Sequence, residues 1–157
     1  MFKNIICATD LSPRSHAALE TAARMALRHG AQLTVLNVHE EFLDKTEMIM
    51  LRVSVERMQE HFREIAISAK AKMAAEVAGV GVDDLKVDYL LREGKAADII
   101  LKTVETIDSK SGNQGSTLLV MGSNGRDSLK DQILGSVAER IVRHSSTPVM
   151  VIPYQMD

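Results

Sequence analysis

Short apolar segments alternate with helical segments along the chain, and this alternation is the strongest constraint on the fold. Five segments are apolar and bounded by polar or glycine residues, which is typical of buried strands. They are 2–9, 32–38, 86–91, 117–121 and 148–152. Four intervening segments read as helices, namely 13–29, 47–78, 95–107 and 137–144. Because parallel strands need crossover connections, this order predicts an α/β fold with a parallel sheet and helices on both faces.

Local signals mark several helix ends. Ser12-Pro13 is a favourable start for the first helix, and Gly30 is a favourable stop. The second helical segment carries apolar residues at three- and four-residue steps from 51 to 77, which predicts one long helix over 47–78. Ser136 and Glu139 have the spacing of a capping box at the start of the last helix.

Composition restricts the possible classes of protein. Hydrophobic residues make up 45% of the 157 residues and charged residues 25%, which is typical of a globular chain. The net charge of −2, without a concentrated basic face, argues against a general nucleic-acid binder. We find no leader-like segment, no apolar run long enough to cross a bilayer, and no linker. We therefore expect one domain over 1–157, a cytoplasmic location, and neither a membrane nor a nucleic acid as partner.

The chain contains one cysteine, Cys7, so it forms no intramolecular disulfide. Cys7 lies within the first apolar segment, and free cysteines are among the most buried residue types. We expect an inert, buried thiol.

A glycine-containing segment between the fourth strand and the last helix is the most informative local feature. It reads Gly122-x-x-Gly125, nine residues, then Gly135-Ser136. Glycines let a ligand approach the backbone closely, and a helix N-terminus presents free N–H groups and a positive dipole end to an anion. The segment therefore predicts a site for a nucleotide or another phosphorylated small molecule. The alternative is that Gly135-Ser136 only begins a helix and that Gly122 only ends a strand.

Asp10 ends the first strand, and it is the second candidate site residue. Ligands of parallel α/β sheets bind beyond the carboxyl ends of the strands, where the strand order reverses. Asp10 would meet the glycine segment there if the first and fourth strands are neighbours. A carboxylate suits a ribose hydroxyl or a bound Mg²⁺, and the alternative is a polar loop residue or cap. The Walker A, G-x-G-x-x-G, G-x-S-x-G and H-E-x-x-H motifs are absent.

Together these segments resemble the universal stress protein family. The glycine segment has the form of the family's ATP-binding motif, and segments 5–10, 33–38, 134–144 and 147–152 resemble its strands and last helix. The resemblance implies a Rossmann-like adenine-nucleotide fold with strand order 3-2-1-4-5. It also implies a homodimer that pairs through the last strand, Val149–Ile152, which would otherwise be an exposed apolar edge.

The resemblance further implies ATP as the ligand, with Mg²⁺ reaching Asp10 through the nucleotide. The glycines and Ser136 would surround the ribose and phosphates, and the Val38 backbone would meet the adenine edge. The implied nucleotide-binding residues are Thr9, Asp10, Val38, Met121, Gly122, Ser123, Gly125, Arg126, Gly135, Ser136 and Val137.

No nucleophile–base pair stands out, so no catalytic residue is assigned. We expect a dimeric stress-response module that binds ATP without a dedicated reaction. The alternatives are a nucleotide-free dimeric interaction protein, and a slow ATPase or autophosphorylating protein.

Three features depart from the family pattern. Asn124 stands where the family often has His. Asp127 and Asp131 place carboxylates in the phosphate segment, where they would repel phosphates or help to hold Mg²⁺. A polar segment over 109–116 precedes the fourth strand. These departures affect the expected affinity rather than the fold.

Overall fold

A computed structural model describes residues 1–40, 45–112, 115–124 and 134–154. These residues form one parallel sheet in the order β3-β2-β1-β4-β5. Its strands are β1 (Asn4–Ala8), β2 (Gln32–His39), β3 (Val87–Glu93), β4 (Thr117–Gly122) and β5 (Val149–Ile152). The expected five-stranded parallel sheet and its strand order are confirmed.

Helices cover both faces of the sheet, as expected. They are α1 (His16–His29), α2 (Lys45–Met50), α3 (Val55–Gly79), α4 (Ala96–Lys110) and α5 (Ser136–His144). Alternate residues of each strand point to opposite faces. Ile5 and Cys7 of β1 therefore pack in one core with α1 and α3, whereas Ile6 and Ala8 pack in a second core with α4 and α5.

The predicted long helix over 47–78 was wrong at its N-terminal end, because two helices occupy that segment. The first ends at Met50 and the second begins at Val55. Arg52 adopts a left-handed conformation with φ 54°, and Ser54 caps α3 by accepting from the Arg57 N–H at 3.2 Å. The local cap overrides the apolar periodicity, and Leu51 lies exposed rather than in the core.

The ends of α1 follow the sequence signals. Ser12 takes the N-cap position of a single 3₁₀ turn, Pro13–Ser15, which leads directly into α1. Gly30 ends the helix with φ 62°, and its N–H donates to the carbonyls at the end of α1. The chain thus leaves the carboxyl edge of the sheet through a tight turn and returns at Gln32.

The polar segment after α4 is anchored at both ends. The helix runs to Lys110, three residues beyond its predicted end. The Asp108 carboxylate accepts from the Gly115 N–H at 3.0 Å, which fixes the return of the chain towards β4. Residues 113 and 114 lie outside the described residues.

The Cys7 side chain is fully buried, as expected. Burial raises the pKa of this thiol to about 12, and the nearby Glu76 carboxylate adds to the effect. The thiol is therefore protonated and shielded at neutral pH. Within the described ranges, no helix is long and apolar enough to cross a membrane.

Glu76 is a carboxylate placed unfavourably against the sheet. Its Oε2 is buried and finds no hydrogen-bond partner among the described residues. Burial raises its pKa above the ordinary value of 4.5, the positive charge of His16 opposes that shift, and the negative charge of Asp10 adds to it. The folded protein therefore binds this proton more tightly than the unfolded chain does. Its contribution to stability is complete below the ordinary pKa and is lost as the pH rises through the raised pKa.

We expect Glu76→Gln to raise the melting temperature at pH 7, because the amide removes the cost of a buried charge. The gain should shrink towards pH 4, where the wild-type carboxyl becomes protonated. Thermal unfolding followed by circular dichroism from pH 4 to 7.5 measures this difference. Glu64→Gln, an exposed position on the same helix, is the matched control. A lower melting temperature of Glu76→Gln at pH 7 would contradict the assignment.

Candidate functional site

The candidate site lies at the carboxyl ends of β1 and β4, which are adjacent strands. From this pair the sheet continues through β2 and β3 in one direction and to β5 in the other. Asp10 follows β1, Gly122 ends β4, and Gly135 precedes α5. The structure therefore brings the two parts of the predicted site to the point where the strand order reverses, which is where ligands of such folds bind.

A network of side chains fixes the turn after β1. Thr9 is buried, and its Oγ1 lies 2.8 Å from the Ser15 Oγ and accepts from the Leu11 N–H at 3.0 Å. Leu11 has φ 60°, a conformation that costs a branched side chain about 1–2 kcal/mol, but its side chain packs against the core. The hydroxyl of Thr9 thus holds the turn, and it is engaged within the protein.

Asp10 is held by the same turn. Its Oδ1 accepts from the Ser12 N–H at 3.0 Å and from the Ser12 Oγ at 2.6 Å. These two hydrogen bonds give the carboxylate a structural role in the turn after β1 that does not depend on a ligand. They also fix the direction of the side chain. The structural and functional interpretations of Asp10 are therefore compatible.

Asn37 is a buried polar residue that sequence reasoning missed. It lies in β2, and its Nδ2 donates to the Thr9 carbonyl at 2.9 Å. This bond ties the end of β1 to its neighbour just where the ladder between them stops. The signal in the sequence was an amide side chain between the apolar residues Leu36 and Val38.

Val38 lies where β2 extends beyond β1. The Thr9 N–H donates to the Leu36 carbonyl at 2.9 Å, so Leu36 faces β1. The His39 carbonyl accepts from the Gly94 N–H at 3.0 Å, so His39 faces the β3 side. Since alternate residues of a strand direct their backbone groups to opposite neighbours, the N–H and C=O of Val38 point to the β1 side. There the chain has already turned away at Leu11, and the Val38 backbone faces the crevice.

The N-terminus of α5 presents backbone donors at the same edge. Gly135 is the N-cap residue, and no described side chain caps the helix. The Gly135 N–H donates to the Ser123 carbonyl, and the Glu139 N–H is the first to bond within the helix, each at 2.8 Å. The three N–H groups between them, at 136–138, have no partner within the helix, as at any helix start. This arrangement, with the positive end of the helix dipole, suits an anion.

The expected capping box was wrong. Gly135, not Ser136, occupies the N-cap position, so Ser136 lies one residue inside the helix. Glu139 instead pairs with Arg143 one turn later, with an N–O distance of 3.0 Å.

The N-terminus of α4, which begins at the same edge of the sheet, is capped by a carboxylate. The Ala96 N–H at the start of α4 donates to the Glu40 Oε1 at 3.0 Å.

The two described motif glycines have different packing. A Cβ on Gly135 would lie 3.2 Å from the Ser123 carbonyl oxygen, closer than ordinary contact, so packing alone favours glycine there. A Cβ on Gly122 would meet its nearest atom, the Arg14 carbonyl oxygen, at an ordinary 3.6 Å. The fold therefore does not require glycine at Gly122.

The other predicted site residues have mainly structural contacts. Met121 is buried in the core against α4 and α5, and Val137 packs at its border. The Ser123 N–H donates to the Ile152 carbonyl at 2.8 Å, and its Oγ accepts from the Tyr154 N–H at 3.3 Å. Ser123 thus joins β4 to the segment after β5. Gly125 and Arg126 lie outside the described residues, as do Asp127 and Asp131.

A groove of about 490 Å³ lies beside the start of α1 and the end of β5. Its lining includes His16, Glu20 and Tyr154, and it contains none of the predicted nucleotide-binding residues. The groove is therefore separate from the crevice between β1 and β4.

In the described part of the chain, no group of three His, Cys, Asp or Glu side chains is arranged to hold a metal ion.

Comparison with known proteins gives consistent matches over the chain. The model of the universal stress protein family matches residues 1–153. Universal stress protein MJ0577 of Methanocaldococcus jannaschii is 26% identical over 155 residues, which cover 97% of this chain and 95% of that protein. A solved structure of MJ0577 covers 100% of this chain and 99% of its own, with a TM-score of 0.65.

Two solved structures with lower identity share the fold. One is a universal stress protein in complex with cAMP, with 17% identity, a TM-score of 0.64, and 98% of each chain covered. The other is the universal stress protein from Archaeoglobus fulgidus in complex with dAMP, with 18% identity and a TM-score of 0.53, covering 97% of this chain and 98% of that one. The family match, the strand order and the glycine motif agree, and this chain belongs to the universal stress protein family.

Proposed function

We propose that this universal stress protein binds an adenine nucleotide, with ATP as its ligand, in the crevice between β1 and β4. The observation that carries the proposal is the N-terminus of α5, which no described side chain caps and whose first N–H groups face the point where the strand order reverses. Phosphate oxygens are acceptors, and they match these donors and the positive end of the helix dipole.

The remaining groups of the crevice suit the other parts of a nucleotide. The Asp10 carboxylate is directed by Ser12, and carboxylate oxygens are acceptors of the kind that suit a ribose hydroxyl. The Val38 N–H and C=O supply one donor and one acceptor, which complement the N1 acceptor and N6 donor of adenine. The solved structures of universal stress proteins in complex with cAMP and dAMP support an adenine base.

Mg²⁺ would reach this site together with the nucleotide. It prefers carboxylate and phosphate oxygens and keeps several waters, so one protein carboxylate is sufficient. Asp10 is the candidate ligand among the described residues. When bound, the ion would neutralise part of the phosphate charge.

The hydrogen bonds of the Ser12 and Ser15 hydroxyls are consistent with a site that binds a nucleotide without a dedicated reaction. The Ser12 Oγ donates to Asp10, and the Ser15 Oγ donates to the Ser12 carbonyl at 2.8 Å. These hydroxyls are committed to the turn and are not placed as nucleophiles. We therefore infer a regulatory binding module, and slow hydrolysis or autophosphorylation is an outcome that the ATP measurements would reveal. The cytoplasmic location and the single domain over 1–157 stay predictions.

We also propose a homodimer that forms through β5. The Leu119 N–H donates to the Pro148 carbonyl, and the Ser123 N–H donates to the Ile152 carbonyl, so the even-numbered residues of β5 face β4. Val149 and Val151 therefore direct their backbone groups away from the sheet. An apolar edge with free N–H and C=O groups is a template for pairing with another strand.

Ser136→Pro tests the phosphate site. Proline is tolerated at the first position of a helix, and the extended backbone of Gly135, with ψ 154°, accommodates it. The substitution removes one N–H that faces the ligand, and a bond to a charged group is worth about 1.5–3 kcal/mol. We expect calorimetry to show ATP binding weaker by about tenfold or more.

Ser136→Ala is the matched control, because it removes the hydroxyl and keeps the N–H. Ser136→Pro should bind ATP more weakly than this control while the two melting temperatures stay close. Equal affinities of the two variants would contradict the placement of the phosphates. Absence of ATP and ADP binding to the wild-type protein would support the nucleotide-free interaction protein instead.

Val151→Pro tests the dimer. It removes an outward N–H without breaking a hydrogen bond to β4, so the sheet should persist while the edge no longer pairs. We expect sedimentation analysis to show a dimer for the wild-type protein and a monomer for the variant. Val87→Pro, at the opposite edge of the sheet, is the matched control and should remain dimeric. A wild-type monomer, or a dimer that persists in Val151→Pro, would contradict the proposed interface.

A further inference from the structure

Ser123 connects the outer edge of the sheet to the start of α5. Its N–H donates to the Ile152 carbonyl at 2.8 Å, and its Oγ accepts from the Tyr154 N–H at 3.3 Å. Its carbonyl accepts from the Gly135 N–H at 2.8 Å. The residue that anchors the N-cap of α5 is therefore itself anchored by the end of β5 and the segment that follows it.

The contact between Ser123 and the N-cap of α5 is close. A Cβ on Gly135 would lie 3.2 Å from the Ser123 carbonyl oxygen and 3.5 Å from the Asn124 Cα. Segments packed at this density transmit a displacement to each other. A shift of Ser123 therefore moves the N–H groups at 136–138, which are the donors of the proposed phosphate site.

The end of β5 is held from one side only within a single chain. The strand has four residues, all of them partly exposed, and it pairs with β4 at the edge of the sheet. Beyond it, the Tyr154 ring packs against the Arg14 guanidinium, whose Cζ lies 4.9 Å from the ring centroid. Short, exposed edge elements open locally at a small free-energy cost. Opening of this end breaks both hydrogen bonds through which it holds Ser123.

The proposed dimer would suppress this opening. A partner strand bonded to the backbone groups of Val149 and Val151 makes β5 an interior strand, which opens less readily than an edge. The hydrogen bonds to Ser123 then persist, and the start of α5 keeps the position that suits phosphates. A ligand binds more tightly when the competent conformation is more fully populated.

We propose that Ser123 couples dimer formation at β5 to nucleotide binding at α5, so that each strengthens the other. Ser123 acts as a positioning residue, and it does so through the carbonyl that holds the N-cap. The two states are an end of β5 that is bonded to Ser123 and one that is open, and both the nucleotide and the partner subunit favour the first. This inference rests on the proposed nucleotide site and dimer, and it adds regulation to them.

The size of the coupling is measured with ADP. Calorimetry should show that the monomeric variant Val151→Pro binds ADP about 3- to 10-fold more weakly than the wild-type dimer, the range expected for one neutral hydrogen bond. Val87→Pro, at the opposite edge, should bind as the wild type does. Because a dimer holds two nucleotides, linkage requires saturating ADP to lower the dimer dissociation constant by the square of that factor, about 10- to 100-fold. Sedimentation analysis with and without ADP measures this change.

Two variants remove the same hydrogen bond from opposite sides. Tyr154→Pro removes the donor N–H, and Ser123→Ala removes the acceptor hydroxyl. Each should reduce the effect of ADP on the dimer dissociation constant, and the double variant should reduce it no further. Tyr154→Ala is the matched control, because it removes the ring and keeps the N–H, and it should retain the effect.

The outcomes separate this inference from the proposals on which it rests. A wild-type dimer that binds ADP but whose dissociation constant does not change with ADP would overturn the coupling and leave the proposed function standing. A full effect of ADP in both Ser123→Ala and Tyr154→Pro would also overturn it. Weaker ADP binding by Ser123→Ala alone would identify Ser123 as a direct ligand and contradict its positioning role. A wild-type protein that binds no nucleotide, or forms no dimer, would overturn the proposed function as well.

Discussion

The early turn after β1 is the constraint on which the rest of the site depends. Thr9 accepts from the Leu11 N–H through its hydroxyl, and its carbonyl accepts from Asn37. These bonds stop β1 at a point where β2 continues, and they leave the Val38 backbone facing a crevice instead of a strand. A nucleotide base could not reach that backbone if β1 ran as far as β2.

A second constraint is the different capping of the two helices that begin at the carboxyl edge of the sheet. The N-terminus of α4 is closed by the Glu40 carboxylate, whereas no described side chain caps α5. Since a helix N-terminus attracts anions, the open helix defines where phosphate charge would be stabilised. The nucleotide would then extend from α5 past Asp10 to Val38.

The sequence predicted the fold well, because its information lies in the period of the apolar residues and in the order of the segments. It failed where a local bond overrides that period, as at Ser54, whose cap divides the predicted long helix. It also assigned the cap of α5 to Ser136, because the spacing to Glu139 does not reveal which residue adopts the extended conformation. For the candidate site, the sequence predicted Asp10 and the glycines, and these residues stay predictions. It did not predict Asn37, because the role of that amide depends on where β2 extends beyond β1.

The most direct test of the account is the amide chemical-shift map of ¹⁵N-labelled protein titrated with ADP. Adenine at the edge of β2 and phosphate at α5 predict that the largest shifts occur at Val38 and at the three amides of 136–138. Residues of the groove near His16 and Tyr154 should shift little. Saturable shifts centred on that groove, with unchanged amides at Val38 and the start of α5, would contradict nucleotide binding at the crevice between β1 and β4.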